Sequence, residues 1–307
     1  MSIPENFLPT LAINYDKVKE QPSCVYASEK LDGVRVIFFG GVAYSRTLKP
    51  LPNKSLQALA KEYADVLEGC DGEVIAGNLY AVDVLQQSTS FCMNADKVTD
   101  YRIYLFDKVN TRQHWIDRFE TLCEDEQFNY LPKKYVQVLQ HYLVVNDNPK
   151  DGEVVLDEFE SQVIARGGEG VMLRDAYGMY KFGRSGTKNP ELQKVKRFDQ
   201  DEFKVVGYTQ FETNQNELQR DERGYAKRST SKEGKQLVEA LGSVVLALPD
   251  GKTFNAGSGF TQEQRLQFWL ERDTLVGRSA SVQYFGYSKD GYPLLPVFKA
   301  FRSEMDM

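Results

Sequence analysis

Histidine, tryptophan and paired cysteines are scarce in this sequence. The 307 residues include two histidines, two tryptophans and four cysteines, with no Cys-x-x-Cys pair. The histidines, His114 and His141, do not stand at the spacing of a metal site. This scarcity argues against zinc sites, redox motifs and histidine-dependent nucleophiles. We interpret the cysteines as reduced structural thiols and expect any catalysis to use Lys, Arg, Asp and Glu.

Long apolar runs and an export signal are also missing. The longest apolar stretches, Val36–Phe39 and Val244–Leu248, are far shorter than the about 18 residues of a membrane-spanning helix. The first six residues contain no basic segment that leads into an apolar one. The sequence thus predicts a cytoplasmic protein without a membrane partner.

The composition that is present is that of a globular protein. Hydrophobic residues make up 41% and charged residues 27% of the chain, which excludes disordered and fibrous classes. A length of 307 residues favours two domains, at roughly 100–200 residues each. The net charge of −6 does not exclude a polyanion as partner, because binding needs only one basic face.

The hydrophobic pattern predicts an α+β fold with a boundary near residue 198. Before it, short β-branched and aromatic runs predict strands at 24–28, 34–39, 41–45, 72–76, 102–106, 170–174 and 192–197. Apolar spacing predicts helices at 54–67, 114–128 and 149–166. After it, strands at 203–208, 242–248, 253–256, 280–285 and 297–301, with a helix at 261–272, fit a small OB-type barrel. The polar segment 210–239 is predicted to be a loop.

The segment Lys30-Leu31-Asp32-Gly33-Val34-Arg35 lies between two predicted strands. Strand alternation and the turn bring Lys30, Asp32 and Arg35 to one strand end. A lysine there can act as a nucleophile if nearby cations depress its pKa. Taken alone, the segment could equally be a charged hairpin tip at the surface.

Further motifs follow in order along the chain. They are Ser45-Arg46, Asp71-Gly72-Glu73-Val74, Tyr104-Leu105-Phe106-Asp107, Glu169-Gly170-Val171-Met172-Leu173-Arg174 and Leu192-Gln193-Lys194-Val195-Lys196. With Lys30-Leu31-Asp32-Gly33, this series resembles the nucleotidyltransferase motifs of ATP-dependent DNA ligases, especially the small viral and bacteriophage enzymes. The resemblance implies an ATP-grasp-like nucleotidyltransferase domain at 1–198 and an OB-fold β-barrel domain at 199–307. For a viral enzyme the location would be the host cytoplasm.

The resemblance also implies site residues. Lys30 would carry AMP, with Asp32, Lys194 and Lys196 as catalytic neighbours and the two later lysines on the α-phosphate. The other implied ligands of the cofactor or the nicked strand are Glu29, Arg35, Arg46, Glu73, Phe106 and Arg302. Glu169 and Glu73 would hold Mg²⁺ or Mn²⁺, because hard cations prefer carboxylate oxygens. Independently of the family, residues 181–200 carry six Lys or Arg against Glu191 and Asp199, which favours a polyanion surface.

The C-terminal part resembles the OB-domain ending of the same family. Gly257-Ser258-Gly259-Phe260 precedes a helix, and Gly291–Phe298 is followed by Arg302. Leu294-Leu295 stands where many relatives carry Arg-Phe, so we assign the cation for the leaving pyrophosphate to Arg302. Residues 220–235 contain six basic and three acidic residues, and we interpret this stretch as a DNA-contacting loop in preference to a solvated insertion.

The expected function is ATP-dependent sealing of nicks in duplex DNA by a monomer, with ATP and Mg²⁺ or Mn²⁺ as cofactors. Two alternatives stay open. An RNA ligase or a capping-type guanylyltransferase shares the Lys-x-Asp-Gly pattern. A catalytically inactive nucleic-acid-binding relative is the alternative from a different class.

Overall fold

A computed structural model describes residues 3–124, 126–195, 199–220, 226–229, 231–288 and 290–302. The chain divides into two compact units, which in the described part comprise residues 3–195 with Arg220 and residues 199–219 with 226–302. Within the described residues, no helix is both long and apolar enough to span a bilayer.

The first unit consists of two sheets and five α-helices. Its strands are β1 Ile13–Asn14, β2 Val25–Glu29, β3 Val34–Phe39, β4 Val42–Tyr44, β5 Cys70–Ala76, β6 Tyr101–Lys108, β7 Val136–Val138, β8 Tyr142–Val145, β9 Glu153–Val155, β10 Val171–Asp175 and β11 Leu192–Val195. Its helices are α1 Lys54–Glu62, α2 Ala64–Leu67, α3 Val84–Cys92, α4 Trp115–Glu124 and α5 Leu156–Ala165, with 3₁₀ turns at Tyr15–Lys17 and Glu126–Tyr130.

The two sheets are mainly antiparallel. One is six-stranded, in the order β1-β11-β10-β2-β8-β9, and the other is five-stranded, in the order β4-β3-β5-β6-β7. Alternate residues of the five-stranded sheet, among them Phe38 and Leu105, pack against Leu56 of α1 and Phe91 of α3 in the largest core of the unit. The opposite face of this sheet is therefore left to face the other sheet, and there the polar residues of the motifs collect.

Two helix predictions for this unit need correction, and one helix was missed. The predicted helix 54–67 is two helices, because Tyr63 leaves helical geometry at φ −109° and ψ 32°. The predicted start at 149 is wrong, since the β-branched Val154 and Val155 form β9 and α5 begins at Leu156. Helix α3 was not predicted, because its polar residues obscure the apolar spacing of a helix. One of them, Ser88, is nevertheless buried, and its hydroxyl accepts a hydrogen bond from the Ala76 amide at 3.0 Å.

His141 is a half-buried histidine whose ring packs against aromatic rings. Its ring lies 4.9 Å from that of Trp115 and 4.7 Å from that of Phe119, and Nδ1 lies 2.9 Å from the Leu139 carbonyl oxygen. Burial, aided by the charge of Arg174, lowers the pKa of His141 to about 3. The ring therefore stays neutral in the folded protein at all but very acidic pH.

We expect this histidine to make the fold acid-sensitive. The unfolded chain takes up a proton near pH 6.5, whereas the folded chain does so only near pH 3, so stability is lost as the pH falls between these values. His141→Phe should reduce the loss of unfolding free energy between pH 7 and pH 5 by about 1–2 kcal/mol, measured by urea titration. The control is His114→Gln at an exposed position, which keeps His141 in place and should retain the loss of stability between pH 7 and pH 5.

The second unit is built on one antiparallel sheet. Its strands are β12 Asp199–Asn214, β13 Leu218–Arg220, β14 Ala226–Arg228, β15 Lys235–Ala247, β16 Thr253–Ala256, β17 Ser279–Tyr284 and β18 Val297–Phe301. Its helices are α6 Gln262–Leu270 and α7 Arg272–Leu275, with a 3₁₀ turn at Lys232–Gly234.

The sheet order is β16-β15-β12-β17-β18. Its edges meet at a parallel bridge between Ser258 and Val297, and no continuous ladder closes the barrel in the described residues. The core includes Phe203, Leu246 and Phe298.

The predicted loop 210–239 is wrong for most of its length. Strands β12 and β15 continue as a paired hairpin out to Asn214 and Lys235, and β13 and β14 form a separate two-stranded sheet. We call residues 211–214 and 235–238 the outer ribbon. Its residues are half-buried or exposed and none is buried, so its sequence has no apolar alternation that could reveal a strand.

Candidate nucleotide and DNA site

Lys30 and Glu169 are brought together by the pairing of two strands. Glu29, the last residue of β2, stands opposite Val171, the first residue of β10. The Lys30 amide continues the pairing by donating to the Gly170 carbonyl oxygen at 2.8 Å. The Lys30 ammonium forms an ion pair with the Glu169 carboxylate, and both side chains are about one-fifth exposed, at 22% and 19%. The two residues lie 139 positions apart in sequence, yet they form one polar contact.

The charges around Lys30 differ from the sequence-based expectation. Burial lowers the pKa of Lys30, but the carboxylates of Glu169, Glu73 and Asp32 together outweigh it and raise the pKa. The expected cations are therefore not the dominant neighbours. In this arrangement Lys30 is held as an ammonium group.

Lys194 lies on the same face of the six-stranded sheet as Lys30. On three adjacent strands, Lys194 is opposite Met172, and Met172 is opposite Ser28. Ser28 and Lys30 are two residues apart, so their side chains point to the same side of the sheet. The predicted partner Lys196 lies outside the described residues, and its position beside Lys194 stays a prediction.

A row of side chains on the other sheet supplies Glu73. Arg35, Glu73 and Tyr104 stand opposite one another on β3, β5 and β6. Burial raises the pKa of Glu73 to about 8, although the charges of Lys30 and Arg35 act to lower it. Because Glu73 and Lys30 influence each other electrostatically, the row and the lysine belong to one site between the sheets.

Phe106 occupies a β-bulge. Asp71 pairs with Asp107 and Gly72 pairs with Leu105, which leaves Phe106 as the extra residue of β6. A bulge re-aims the side chain of its extra residue. The guanidinium carbons of Arg174 and Arg35 lie 4.9 and 5.6 Å from the centre of the Phe106 ring. This places an aromatic ring, braced by two cations, in the same site.

Arg35 is fixed by a bidentate ion pair. Its Nε and Nη2 atoms donate to the Asp71 carboxylate at 2.8 and 2.6 Å, and Nη1 donates to the Thr10 carbonyl oxygen at 2.7 Å. The Tyr180 hydroxyl also donates to Asp71, at 2.7 Å. The Asp71 charge, which outweighs burial, raises the pKa of Arg35. Arg35 is thus a permanently charged and immobile group.

A buried charge network joins the two sheets and was not predicted as part of the site. The Asp107 carboxylate accepts hydrogen bonds from Arg118 at 2.7 Å and from Arg174 at 3.0 Å. All three residues are at least 95% buried. Asp107 and Arg174 stood inside the quoted motifs, but only the fold shows that they pair across the sheets.

The carboxylate of Glu29 is held by two residues that the sequence did not single out. Arg166, just after α5, donates to it at 2.5 Å, and the Tyr80 hydroxyl donates at 3.1 Å. Neither partner stands in a recognisable motif, so no sequence signal could have identified them.

The remaining predicted residues are placed as follows. Asp32 lies in the turn between β2 and β3. Arg46 lies in the turn after β4, where Leu48 adopts a left-handed φ of 61°. Arg302 lies at the end of β18 in the second unit, where its Nε donates to Glu202 at 2.6 Å.

The carboxylates at the site suit a hard cation. In the part of the chain that the structure describes, no group of three or more His, Cys, Asp or Glu residues forms a metal cage. Mg²⁺ needs none, since it commonly uses one or two carboxylates together with substrate phosphates and water. Glu169 and Glu73, whose charges both act on Lys30, fit that pattern.

The fold and this site define a nucleotidyltransferase domain followed by an OB domain, as predicted. Residues 233–302 match the family model described as the DNA ligase OB-like domain. The solved structure of a Chlorella virus DNA ligase-adenylate is 27% identical, with a TM-score of 0.50, over 97% of this chain and 99% of that one. A Lig E DNA ligase described as a minimal scaffold shares the fold at 22% identity and a TM-score of 0.67, over 96% and 99%. No curated protein sequence gives a significant match. The predicted resemblance to ATP-dependent DNA ligases is confirmed, and the matches support a ligase-type enzyme.

Proposed function

We propose that the protein is an ATP-dependent DNA ligase that seals nicks between a 3′-hydroxyl and a 5′-phosphate in duplex DNA. The observation that carries the proposal is the partly buried Lys30–Glu169 ion pair, with Lys30 on the sheet face that it shares with Lys194. The likeness to a Chlorella virus DNA ligase-adenylate supports it. The first unit acts as the adenylation domain and the second as the OB domain.

The reaction has three steps. The Lys30 amine attacks the α-phosphorus of ATP and pyrophosphate leaves, which forms a lysyl-AMP bond. AMP then passes to the 5′-phosphate of the nick and frees Lys30. The 3′-hydroxyl finally displaces AMP and forms the phosphodiester. Each step develops charge on phosphate oxygens, so Lys194 and Lys196 act by electrostatic stabilisation.

The other residues bind and orient the nucleotide. Phe106 stacks on the adenine ring. The cation–π contacts of Arg35 and Arg174 hold the Phe106 ring in place. Glu29 and Glu73 contact the nucleoside, with Asp32 supporting Lys30. Arg35 and Arg46 contact the cofactor and phosphates of the nicked strand, a task that suits a guanidinium fork.

Glu169 and Glu73 are the residues that would hold Mg²⁺ or Mn²⁺. When bound, the cation neutralises phosphate charge. Glu169 pairs with the Lys30 ammonium. The Lys30 amine can therefore act as a nucleophile only after this ion pair is broken and the ammonium has lost a proton.

An adduct assay tests the proposal. The full chain is incubated with α-labelled ATP or GTP and Mg²⁺, and with a nicked duplex carrying either DNA or RNA strands. We expect a covalent adduct from ATP and sealing of the DNA nick. An adduct from GTP alone would identify a guanylyltransferase, sealing of RNA alone an RNA ligase, and DNA binding without any adduct an inactive relative.

The basic stretch 220–235 should contact DNA phosphates. Changing Arg220, Lys227 and Arg228 to alanine is expected to weaken binding of a nicked duplex. It should also flatten the salt dependence by roughly one unit of slope per lost contact. Binding titrations between low and moderate salt measure both quantities.

The control is a triple alanine variant of Lys54, Lys61 and Lys134, which are exposed lysines of the first unit. It removes the same charge outside the basic stretch and should change the salt dependence less. Adduct formation by Lys30 needs no DNA and should stay near normal in both variants. If affinity and slope were unchanged in the first variant, the stretch would be a solvated insertion.

A further inference from the structure

The outer ribbon leaves the barrel through an irregular junction. Thr209 pairs with Ser243 and Gln210 with Leu241, so Gly242 is skipped in the register. Two further residues are skipped before Phe211 pairs with Val238. A Cβ atom on Gly242 would lie 2.5 Å from the Gln210 carbonyl oxygen, so only glycine fits where the strands cross. Two bulges at one point bend a hairpin and leave backbone groups outside the ladder.

Arg265 on helix α6 supplies donors for this junction. Its Nη1 donates to the carbonyl oxygens of Leu241 and Gly242 at 2.7 and 2.8 Å, and Nη2 donates to the Gly257 carbonyl oxygen at 2.5 Å. Its guanidinium carbon lies 4.9 Å from the ring centre of Phe211 and 5.2 Å from that of Phe260. One side chain therefore contacts the first residue of the ribbon, the skipped glycine and the barrel.

Beyond the junction, the described residues of the ribbon make their contacts with other residues of the same hairpin. Lys235 pairs with Glu212 at 2.7 Å, and the Asn216 amide donates to the carbonyl oxygens of Ser229 and Ser231 at 3.0 and 2.8 Å. Residues 236–239 are exposed, with Leu237 at 65%. The direction in which the ribbon projects is consequently determined at its base.

We propose that Arg265 is a positioning residue that fixes the direction of the outer ribbon and thereby brings the basic stretch 220–235, which the ribbon carries, to the DNA. This inference rests on the proposed function, because it assigns the ribbon's target to nicked duplex DNA. Arginine suits the task because its planar fork donates to several carbonyl oxygens at fixed angles while its faces stack on rings. A flexible lysine could replace the charge but not this geometry.

The experiment compares Arg265→Met with Arg272→Met. Arg272 is the matched control, since its guanidinium also stacks on a ring, 4.7 Å from the centre of Trp269, and its carbonyl contact is with Trp269 of the preceding helix and not with the ribbon. Arg265→Met should weaken nicked-duplex binding about tenfold or more and lower the salt slope by about two units. Arg272→Met should change neither, and both variants should form the Lys30 adduct normally.

Amide hydrogen exchange distinguishes positioning from a merely structural role. In Arg265→Met, exchange should rise in residues 211–214 and 235–241 but not in β16 or β17. Arg265→Lys, which keeps the charge and is milder for folding, should show the same pattern with a smaller loss of affinity. Wild-type affinity and ribbon exchange in both variants would overturn the proposal, as would faster exchange throughout the barrel. If the wild-type chain forms no adduct, the proposed function fails, whereas the exchange pattern still tests the action of Arg265 on the ribbon.

Discussion

Lys30→Arg is expected to abolish formation of the covalent AMP adduct. A guanidinium group stays protonated at any accessible pH and offers no lone pair to the α-phosphorus. The substitution preserves the positive charge that pairs with Glu169, so the site should keep its fold. The measurement is retention of label from α-labelled ATP after denaturing electrophoresis. Lys54→Arg, at an exposed ion pair with Asp96, is the control and should form the adduct normally.

A second substrate separates the chemistry of Lys30 from a general defect. A nick that already carries AMP on its 5′-phosphate bypasses the first two steps, so Lys30→Arg should retain sealing of this substrate far better than sealing with ATP. An acid-labile, ATP-derived adduct at wild-type yield in Lys30→Arg would show that Lys30 is not the nucleophile.

The parts of the fold that could be predicted are those whose hydrophobic pattern matches their burial. The predicted bounds 34–39, 253–256 and 297–301 agree with β3, β16 and β18, because their buried side chains are apolar and turns flank them. Helix α3 and the outer ribbon have no such pattern. Ser88 is buried with its hydroxyl hydrogen-bonded to the backbone, and no residue of the ribbon is buried. Their structure depends on tertiary pairing that periodicity does not record.

The same distinction applies to the site. Lys30 and Glu169 could be singled out because each stands in a motif with flanking strands. That they form an ion pair follows only from the register of β2 and β10. Glu29 is held by Tyr80 and Arg166, and Asp107 is held by Arg118. These three partners stand in no motif. The pKa of Lys30 could not be inferred either, because it depends on which charges the fold brings near.

The largest effect expected in the second unit concerns Arg302. If Arg302 supplies the cation that orients the leaving pyrophosphate, Arg302→Ala should slow self-adenylation by on the order of 10²–10³. Sealing of a pre-adenylated nick should suffer much less, because pyrophosphate leaves only in the first step. Single-turnover adduct formation and sealing of the pre-adenylated nick are measured side by side.

The ion pair of Arg302 provides the control for this result. Its Nε donates to Glu202 at 2.6 Å, and the two side chains are 43% and 47% exposed. An exposed pair of this kind contributes little to stability, so Glu202→Gln should leave both assays near normal. If Glu202→Gln reproduced the defect of Arg302→Ala, the pairing itself would be the source of the effect.

Leu294 allows the assignment to be tested by gain of function. It is 42% exposed, and the motif resemblance described above aligns it with an arginine of the ligase family. Leu294→Arg should be neutral or slightly helpful in the wild-type background. It should partly restore self-adenylation to Arg302→Ala, because both guanidinium groups would serve the same phosphate oxygens. Equal loss of both activities in Arg302→Ala, without rescue by Leu294→Arg, would instead assign Arg302 to the fold or to DNA binding.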